Sequence, residues 1–160
     1  MAADYILKIT GVDGECQVKG HENQIDIMSW SIGMSNSGSA SVGGGAGSGK
    51  VSFQDFHFTK HVDSSSNALQ LRCAGGKPIT EATMFVRKQG ADGKQQEYIK
   101  ITLSDFIVAN YSLSGGGDAA MEQFSFNYAK YKFEYAKQKK DGSLEGYKPI
   151  EWDLKATSGS

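Results

Sequence analysis

Few side chains in this chain are placed to do chemistry, and their spacing argues against each candidate reaction. Gly44, Gly49 and Lys50 fall in the GxxxxGK spacing of a phosphate-binding loop. Such a loop cradles phosphates with backbone N–H groups, follows its lysine with a Ser or Thr that holds Mg²⁺, and opens a helix. Here Val51 follows the lysine and VSFQDFHFT reads as a strand, so the match is a coincidence within a glycine-rich run. His57 and His61 lie four apart, a spacing that brings two imidazoles to one metal along a helix but separates them by roughly 13 Å along a strand. Together with His21 they form no Cys, His or carboxylate cluster at ligand spacing. Cys16 and Cys73 carry no local nucleophile signature, and no G-x-S-x-G occurs. Lys137, Lys139 and Lys140 read as a solvated turn. The sequence therefore predicts no enzyme, no catalytic residue, no cofactor and no metal site.

What the chain does hold is a long stretch without charge. GMSNSGSASVGGGAGSGK, residues 33–50, contains seven glycines and five serines before its lysine, and no Asp, Glu, Lys, Arg or His occurs from Ile27 through Gly49. A flexible domain linker has this composition. It would strand an N-terminal piece of 32 residues, however, and pieces below ~40 residues rarely fold without staples. The stretch is thus a loop thrown out from within one domain, far longer than the usual ~4–6 residues. A loop that docks on another subunit gains from having no charge to desolvate. It reads as an assembly arm.

The remaining composition sets bounds. The 160 residues fit one domain, read as 1–155, with 156–160 a polar, frayed tail of the kind cloning can append. Twenty glycines point to many turns, and a net charge of −1 gives no footprint for nucleic acid or for an anionic membrane. No apolar run approaches the ~18 residues of a membrane-spanning helix. MAADYILKIT lacks the basic and apolar regions of a Sec signal peptide, so if the protein leaves the cell it must use a leaderless route. The two cysteines suit free thiols better than a disulfide framework.

The pattern along the chain is of strands. Tyr5, Leu7 and Ile9 alternate with Ile6, Lys8 and Thr10 over 4–11, and residues 12–24 form a polar connection. The strand 24–33 puts Asp26, Met28, Trp30 and Ile32 on one face and Ile25, Ile27, Ser29 and Ser31 on the other. In VSFQDFHFT the apolar parity switches, which predicts a bulge near Gln54 and Asp55. After Asp63, whose carboxylate can cap, SSSNALQLRCAGG reads as a short helix closing on Gly75 and Gly76. Strands follow at 82–88 and, after an Asp92-Gly93 turn, at 96–114. That last strand carries an apolar face at Ile99, Ile101, Leu103, Ile107, Ala109, Tyr111 and Leu113, broken by Asp105. It exceeds the usual 3–10 residues, so it must bend or pass between sheets. From Glu122 the apolar parity changes midway, and a last strand presents Ile150, Trp152 and Leu154. The fold class is mainly β, an antiparallel β-barrel or tight two-sheet sandwich with one lateral helix and a long extended Gly/Ser loop.

At this level of detail the chain resembles a known family. The run from GECQVKGHENQIDIMSWSIG through the Gly/Ser loop to VSFQDFHFTKHVDSSSNALQLRCAGGK closely resembles the haemolysin-coregulated protein (Hcp) family, tube subunits of bacterial type VI secretion systems. The likeness continues through TMFVRKQG, EYIKITLSDFIV and EQFSFNYAKYKFEY, covering about 4–154. It implies a small barrel that closes into homo-hexameric rings, stacked as a secreted tube resembling phage tail tubes. It further implies a contractile sheath around the tube, a spike protein at its tip and effector proteins in its lumen.

The resemblance gives the arm a role as the ring-stacking loop, with Gly33, Met34, Ser35, Ser37, Ser39, Val42, Gly45, Gly49 and Lys50 as its candidate contacts. It also suits a reading of strand 24–33 in which Met28, Trp30 and Ile32 enter the core. Ser29 and Ser31 are then left on a small, polar opposite face, as lumen candidates or as a close subunit contact. Two rival classes stay open: a monomeric small-ligand-binding β-barrel, which needs a closed apolar cavity, and a nucleotide enzyme built on the glycine loop.

Overall fold

Alternating Ile, Leu, Val and Phe in short runs, cut by Gly and Asn turns, commit most of the chain to strands. The structure, a computed structural model, describes residues 4–38, 50–90, 93–117, 119–156 and 158–159. Its elements are β1 (Asp4–Ile9), β2 (Ile25–Ile27), β3 (Ser29–Ser31), β4 (Met34–Asn36), β5 (Val51–Phe53), β6 (Phe56–His61), α1 (Ser66–Gly75), β7 (Ile79–Gln89), β8 (Gln95–Gly116), β9 (Ala119–Tyr135), β10 (Lys148–Asp153) and β11 (Ser158–Gly159). All pairings are antiparallel. β1 pairs with β2 and β7, β7 with β8, β8 with β9, β9 with β6, and β6 with β3. Since β2 and β3 are two segments of one bent strand, this circuit nearly closes into a barrel. β10 continues the sheet beyond β9, and β4–β5 form a separate two-stranded ribbon.

The interior is filled with rings. Phe56, Phe58, Phe106, Phe124 and Phe126 are each at most 2% exposed, and Phe58 stacks between Phe56 and Phe124 with centroids 4.3 and 5.0 Å away. Ile25, Leu69, Met84 and Ile101 complete the core. Burying side chains of this size stabilises by ~1.5–3 kcal/mol each, and their rings occupy the barrel interior.

Several expectations are corrected in register or partner. The strand 24–33 is broken at Met28, whose N–H donates to the Thr59 carbonyl at 2.9 Å. The bend reverses its phase, so Ile25 and Ile27 are the core residues and Met28 is 45% exposed, while Trp30 and Ile32 pack part-buried against the core. The discontinuity at Gln54–Asp55 marks the passage from the β4–β5 ribbon to β6, a change of sheet rather than a bulge. The 12–24 connection is not merely polar, because Val12, Cys16 and His21 are buried in it. Asp63 is not the residue at the helix N-cap, which is Ser65; its carboxylate instead accepts the Ser65 N–H at 2.8 Å. Gly76 closes α1 in the left-handed region at φ +62, where a side chain would be strained. Both cysteines are free. Of the tail read as frayed, Ser158 and Gly159 pair with Asp153 and Trp152.

The long strand bends as its length requires, though not with one continuous apolar face. Asp105 adopts φ +53, and the inward residues change there from Ile101 and Leu103 to Phe106 and Val108. Ile107 becomes half-buried and Leu113 is 56% exposed. A second irregularity between Val108 and Asn110 returns Tyr111 to the inner side.

A charged network that the sequence does not announce pins α1 to the barrel. Lys60 and Glu122 are cross-strand partners on β6 and β9, both with 0% exposure, and their side chains form an ion pair. Lys60 Nζ also meets Asp63 Oδ1 at 2.7 Å, and the Ser66 hydroxyl donates to Glu122 at 2.9 Å. Tyr111 donates to the other Glu122 oxygen. Burial first, and then this bond to a carboxylate, push the Tyr111 hydroxyl up to about 12.

Removing one member of such a network leaves its partner charged and buried. Lys60→Met should therefore lower unfolding stability by about 3–5 kcal/mol, whereas Lys60→Met with Glu122→Leu should recover more than half of that loss. Urea titrations at one fixed protein concentration provide the check, and equal losses in the single and double variants would contradict the network's role.

Candidate functional site

The β8–β9 ladder has different partners along its two halves, and two chemically opposite outer faces result. Where β6 and β3 join it, cross-strand rows can be followed through the register. Ser31, His57, Ser125 and Asn110 form one row, and Ser29, Thr59, Gln123 and Ser112 the next. Strand geometry puts partners in a row on the same face, and the core phenylalanines Phe58, Phe124 and Phe126 lie on the other. None of these eight residues is Asp, Glu, Lys or Arg. His57, Thr59, Asn110, Ser112, Gln123 and Ser125 border a shallow hollow of about 180 Å³. The Ser125 hydroxyl is buried in its floor without a hydrogen-bond partner.

Where β7 and β10 join the ladder, the outward rows are charged. Glu81, Ser104, Lys130 and Asp153 form one row, and Thr83, Thr102, Lys132 and Glu151 another. Lys132 approaches Glu151 at 3.7 Å and Glu134 at 3.8 Å. Exposed pairs of this kind contribute at most about 1 kcal/mol each. Their significance is that the face is built for water and counter-charges, with a groove of about 570 Å³ along it.

The base of the predicted arm is a hairpin. Met34, Ser35 and Asn36 pair with Phe53, Ser52 and Val51. Beyond them the Ser37 N–H donates to the Lys50 carbonyl at 3.2 Å, and the Lys50 N–H donates to the Ser37 hydroxyl at 3.1 Å. The Gln54 N–H closes the base on the Gly33 carbonyl at 2.9 Å. Phe53 anchors the ribbon against Tyr128, Tyr131 and Trp152, with centroids 5.6–6.3 Å away. Ser35 and Ser52 lie exposed on its other face, and Met34, paired directly opposite Phe53, is still 50% exposed. Ser39, Val42, Gly45 and Gly49, together with Gly44 of the phosphate-loop mimic, lie outside the described residues.

The structure thus brings Ser29 and Ser31 together with His57, Thr59, Asn110, Ser112, Gln123 and Ser125. The sequence singled out only the two serines. The other six come from strands up to 96 positions away (Ser29 to Ser125), and only pairing reveals them; the available hint was the small polar residues alternating with Phe in FHFTK and QFSFN. Among the described residues no three His, Cys, Asp or Glu side chains gather in metal-binding geometry.

A family model described as "Type VI secretion system effector, Hcp" matches residues 6–135. Protein hcp1 of Pseudomonas aeruginosa is 43% identical over 148 residues, which span 91% of each chain. The crystal structure of Hcp1 from Salmonella typhimurium covers 100% of both chains with a TM-score of 0.81 and 35% identity. A structure described as a type six secretion system protein reaches a TM-score of 0.90 over 99% of this chain and 100% of its own, at 24% identity, a likeness of fold alone.

The unpartnered hydroxyl under the uncharged face provides a direct measurement. A buried donor left unpaired costs about 1–3 kcal/mol, so Ser125→Ala should leave thermal stability unchanged or raise it by up to about 1 kcal/mol. A clear loss of stability in the isolated subunit would mean that the hydroxyl is satisfied after all.

Proposed function

The chain belongs to the Hcp family of type VI secretion proteins, and on that premise we propose that it is the repeating subunit of the secreted tube, closing into hexameric rings that stack and carry effector proteins. The observation that carries this reading is the division of one barrel surface into an uncharged, small-side-chain face and a charge-laced face. A tube needs both. Its inner wall must admit and release unrelated cargo, and large apolar or fixed charged groups would bind some cargo too tightly. Its outer wall faces solvent and the contractile sheath. The rows of Ser29 and Ser31 form the inner wall in this reading, and the Lys130–Asp153 and Lys132–Glu151 rows the outer.

The β4–β5 ribbon and the Gly/Ser stretch it launches are the stacking arm between rings. A chargeless arm docks without desolvating ions, and a ribbon anchored by Phe53 sets its direction. The role is structural rather than catalytic, with a spike protein capping the tube and effectors as cargo. A monomeric ligand barrel is disfavoured because its interior volume is occupied by Phe56, Phe58, Phe106, Phe124 and Phe126.

Light scattering should give a mass about six times the 17.2 kDa of the chain; a strict monomer would overturn the proposal. Deleting residues 39–47 leaves Gly38, Ser48 and Gly49 to bridge the hairpin from Ser37 to Lys50, within the range of short hairpin loops. The deletion should preserve ring mass while abolishing tube growth in electron micrographs, and long tubes from this variant would remove the arm assignment.

Ser31→Gln separates the inner wall from a packed subunit contact. On an open wall it leaves rings assembled and changes the amount of effector that co-purifies. In a tight contact it weakens assembly by ~1–3 kcal/mol of overpacking. Dissociated rings would therefore count against the lumen role of Ser31.

A further inference from the structure

Two exposed apolar patches take no part in the reading above, and they differ in place and in charge. The first surrounds Met28 and Val62, which are 45% and 44% exposed. They line a groove of about 300 Å³ whose polar wall holds Glu15, Asp26 and Asp63 beside His61. Met28 also borders a second hollow, of about 250 Å³, with Asp4 on its rim. Lys60 pairs with Asp63 at 2.7 Å and Arg87 with Asp4 at 3.7 Å, so Glu15 and Asp26 are the acids of the rim without an ion-pair partner among the described residues. Met28 is out here for a backbone reason, since it sits at the bend where β2 gives way to β3.

The second patch lies where the apolar rows of the core run out of cover. Leu103, Tyr131 and Trp152 form one row, Ile101, Phe133 and Ile150 the next, and Ile99, Tyr135 and Lys148 the last. Leu103 and Ile101 on β8 are 1% exposed, whereas Ile150 on β10 and Tyr135 at the end of β9 are 54% and 40% exposed. The charged group on this face is Lys148. The following turn adds Lys137, Lys139 and Lys140 against Asp141 and Glu145, a further excess of positive charge.

We propose that these two patches are the two halves of one head-to-tail contact, in which the Ile150–Tyr135 ledge of one copy seats on the acidic Met28–Val62 groove of the next. This rests on the ring reading and assigns the surfaces that close the ring. Three observations select a second copy as the occupant. The charges are complementary, Lys148 against Asp26 and Glu15, whereas either patch facing itself would oppose like charges. The apolar residues at both centres are of the kind a subunit contact buries. The patches also lie at opposite ends of β9. Val62 donates to the Ala120 carbonyl, while Ile150 pairs with Phe133, and on the order of 40 Å of strand separates those two positions. Distinct patches at opposite ends make a heterologous contact, which generates a ring when its rotation closes.

The test mixes two blocked subunits. Met28→Glu spoils the groove and keeps the ledge; Ile150→Lys spoils the ledge and keeps the groove. Each alone should run near 17.2 kDa in size-exclusion with light scattering, with circular dichroism matching the parent chain. Mixed one to one, they share a single intact contact and should give a dimer and nothing larger. If either variant alone still forms full-sized rings, or if the mixture stays monomeric, the contact is wrongly assigned even though the parent chain makes rings. A parent chain that is itself monomeric would sink the ring reading instead. Should a first variant fail to fold, Val62→Asp and Tyr135→Lys block the same two patches.

Discussion

A strand sends alternate side chains to opposite faces, so one reversal of phase exchanges the roles of everything beyond it. In this barrel the reversal occurs between the Ser104–Lys130 and Phe106–Tyr128 pairs, on both strands of the β8–β9 ladder at one level. Asp105 accommodates it with a left-handed backbone, a conformation that Asp tolerates better than a branched residue would. On one side of that level the ladder turns Ile101, Leu103 and Tyr131 inward; on the other it turns Phe106, Val108 and Phe126 inward. Its outer partners change at the same place, from β7 and β10 to β6. The charged face and the uncharged face are therefore two halves of one ladder, and neither could be altered in phase without the other.

The second constraint is electrostatic. A ten-residue helix on a barrel wall needs a reason to stay in one place, since α1 itself has Leu69 as its one buried large apolar side chain. The Lys60–Glu122 pair supplies direction where packing is thin. It is fully buried and joined by Asp63, Ser66 and Tyr111, so it binds β6, β8, β9 and the start of α1 at a single point. Such a pair adds little net stability relative to an apolar substitute, but it penalises every arrangement that separates its members.

These two devices leave the surfaces proposed for the lumen and for stacking free of structural duty. The rows around Ser29 and Ser31 support no core contact from their outer side. The β4–β5 ribbon holds itself by its own ladder and by Phe53. Small, uncharged side chains on one face and a chargeless arm are then tolerable, because the stability of the barrel comes from the phenylalanine core and the charged rows lie elsewhere.

The sequence by itself determined the class of fold, the position of the helix with its closing glycines, the uncharged stretch after Gly33 and the family. Each of these is a local or compositional property, carried by alternation, by the absence of ions or by contiguous motifs. It also located the change of phase beyond Tyr128, where the apolar parity switches, but it read β8 as one apolar face broken by Asp105 and missed the reversal that occurs there. Only the tertiary structure decided which phase each segment adopts. Met28 looks like a core residue by alternation, yet the bend that lets its N–H reach Thr59 turns it outward and gives Ile25 and Ile27 its place. Nothing local to Lys60 or Glu122 announces their burial, which exists only because the register sets them opposite one another on β6 and β9. Alternation is a property of neighbours in sequence, whereas the choice of inward phase is made by the partners across the sheet.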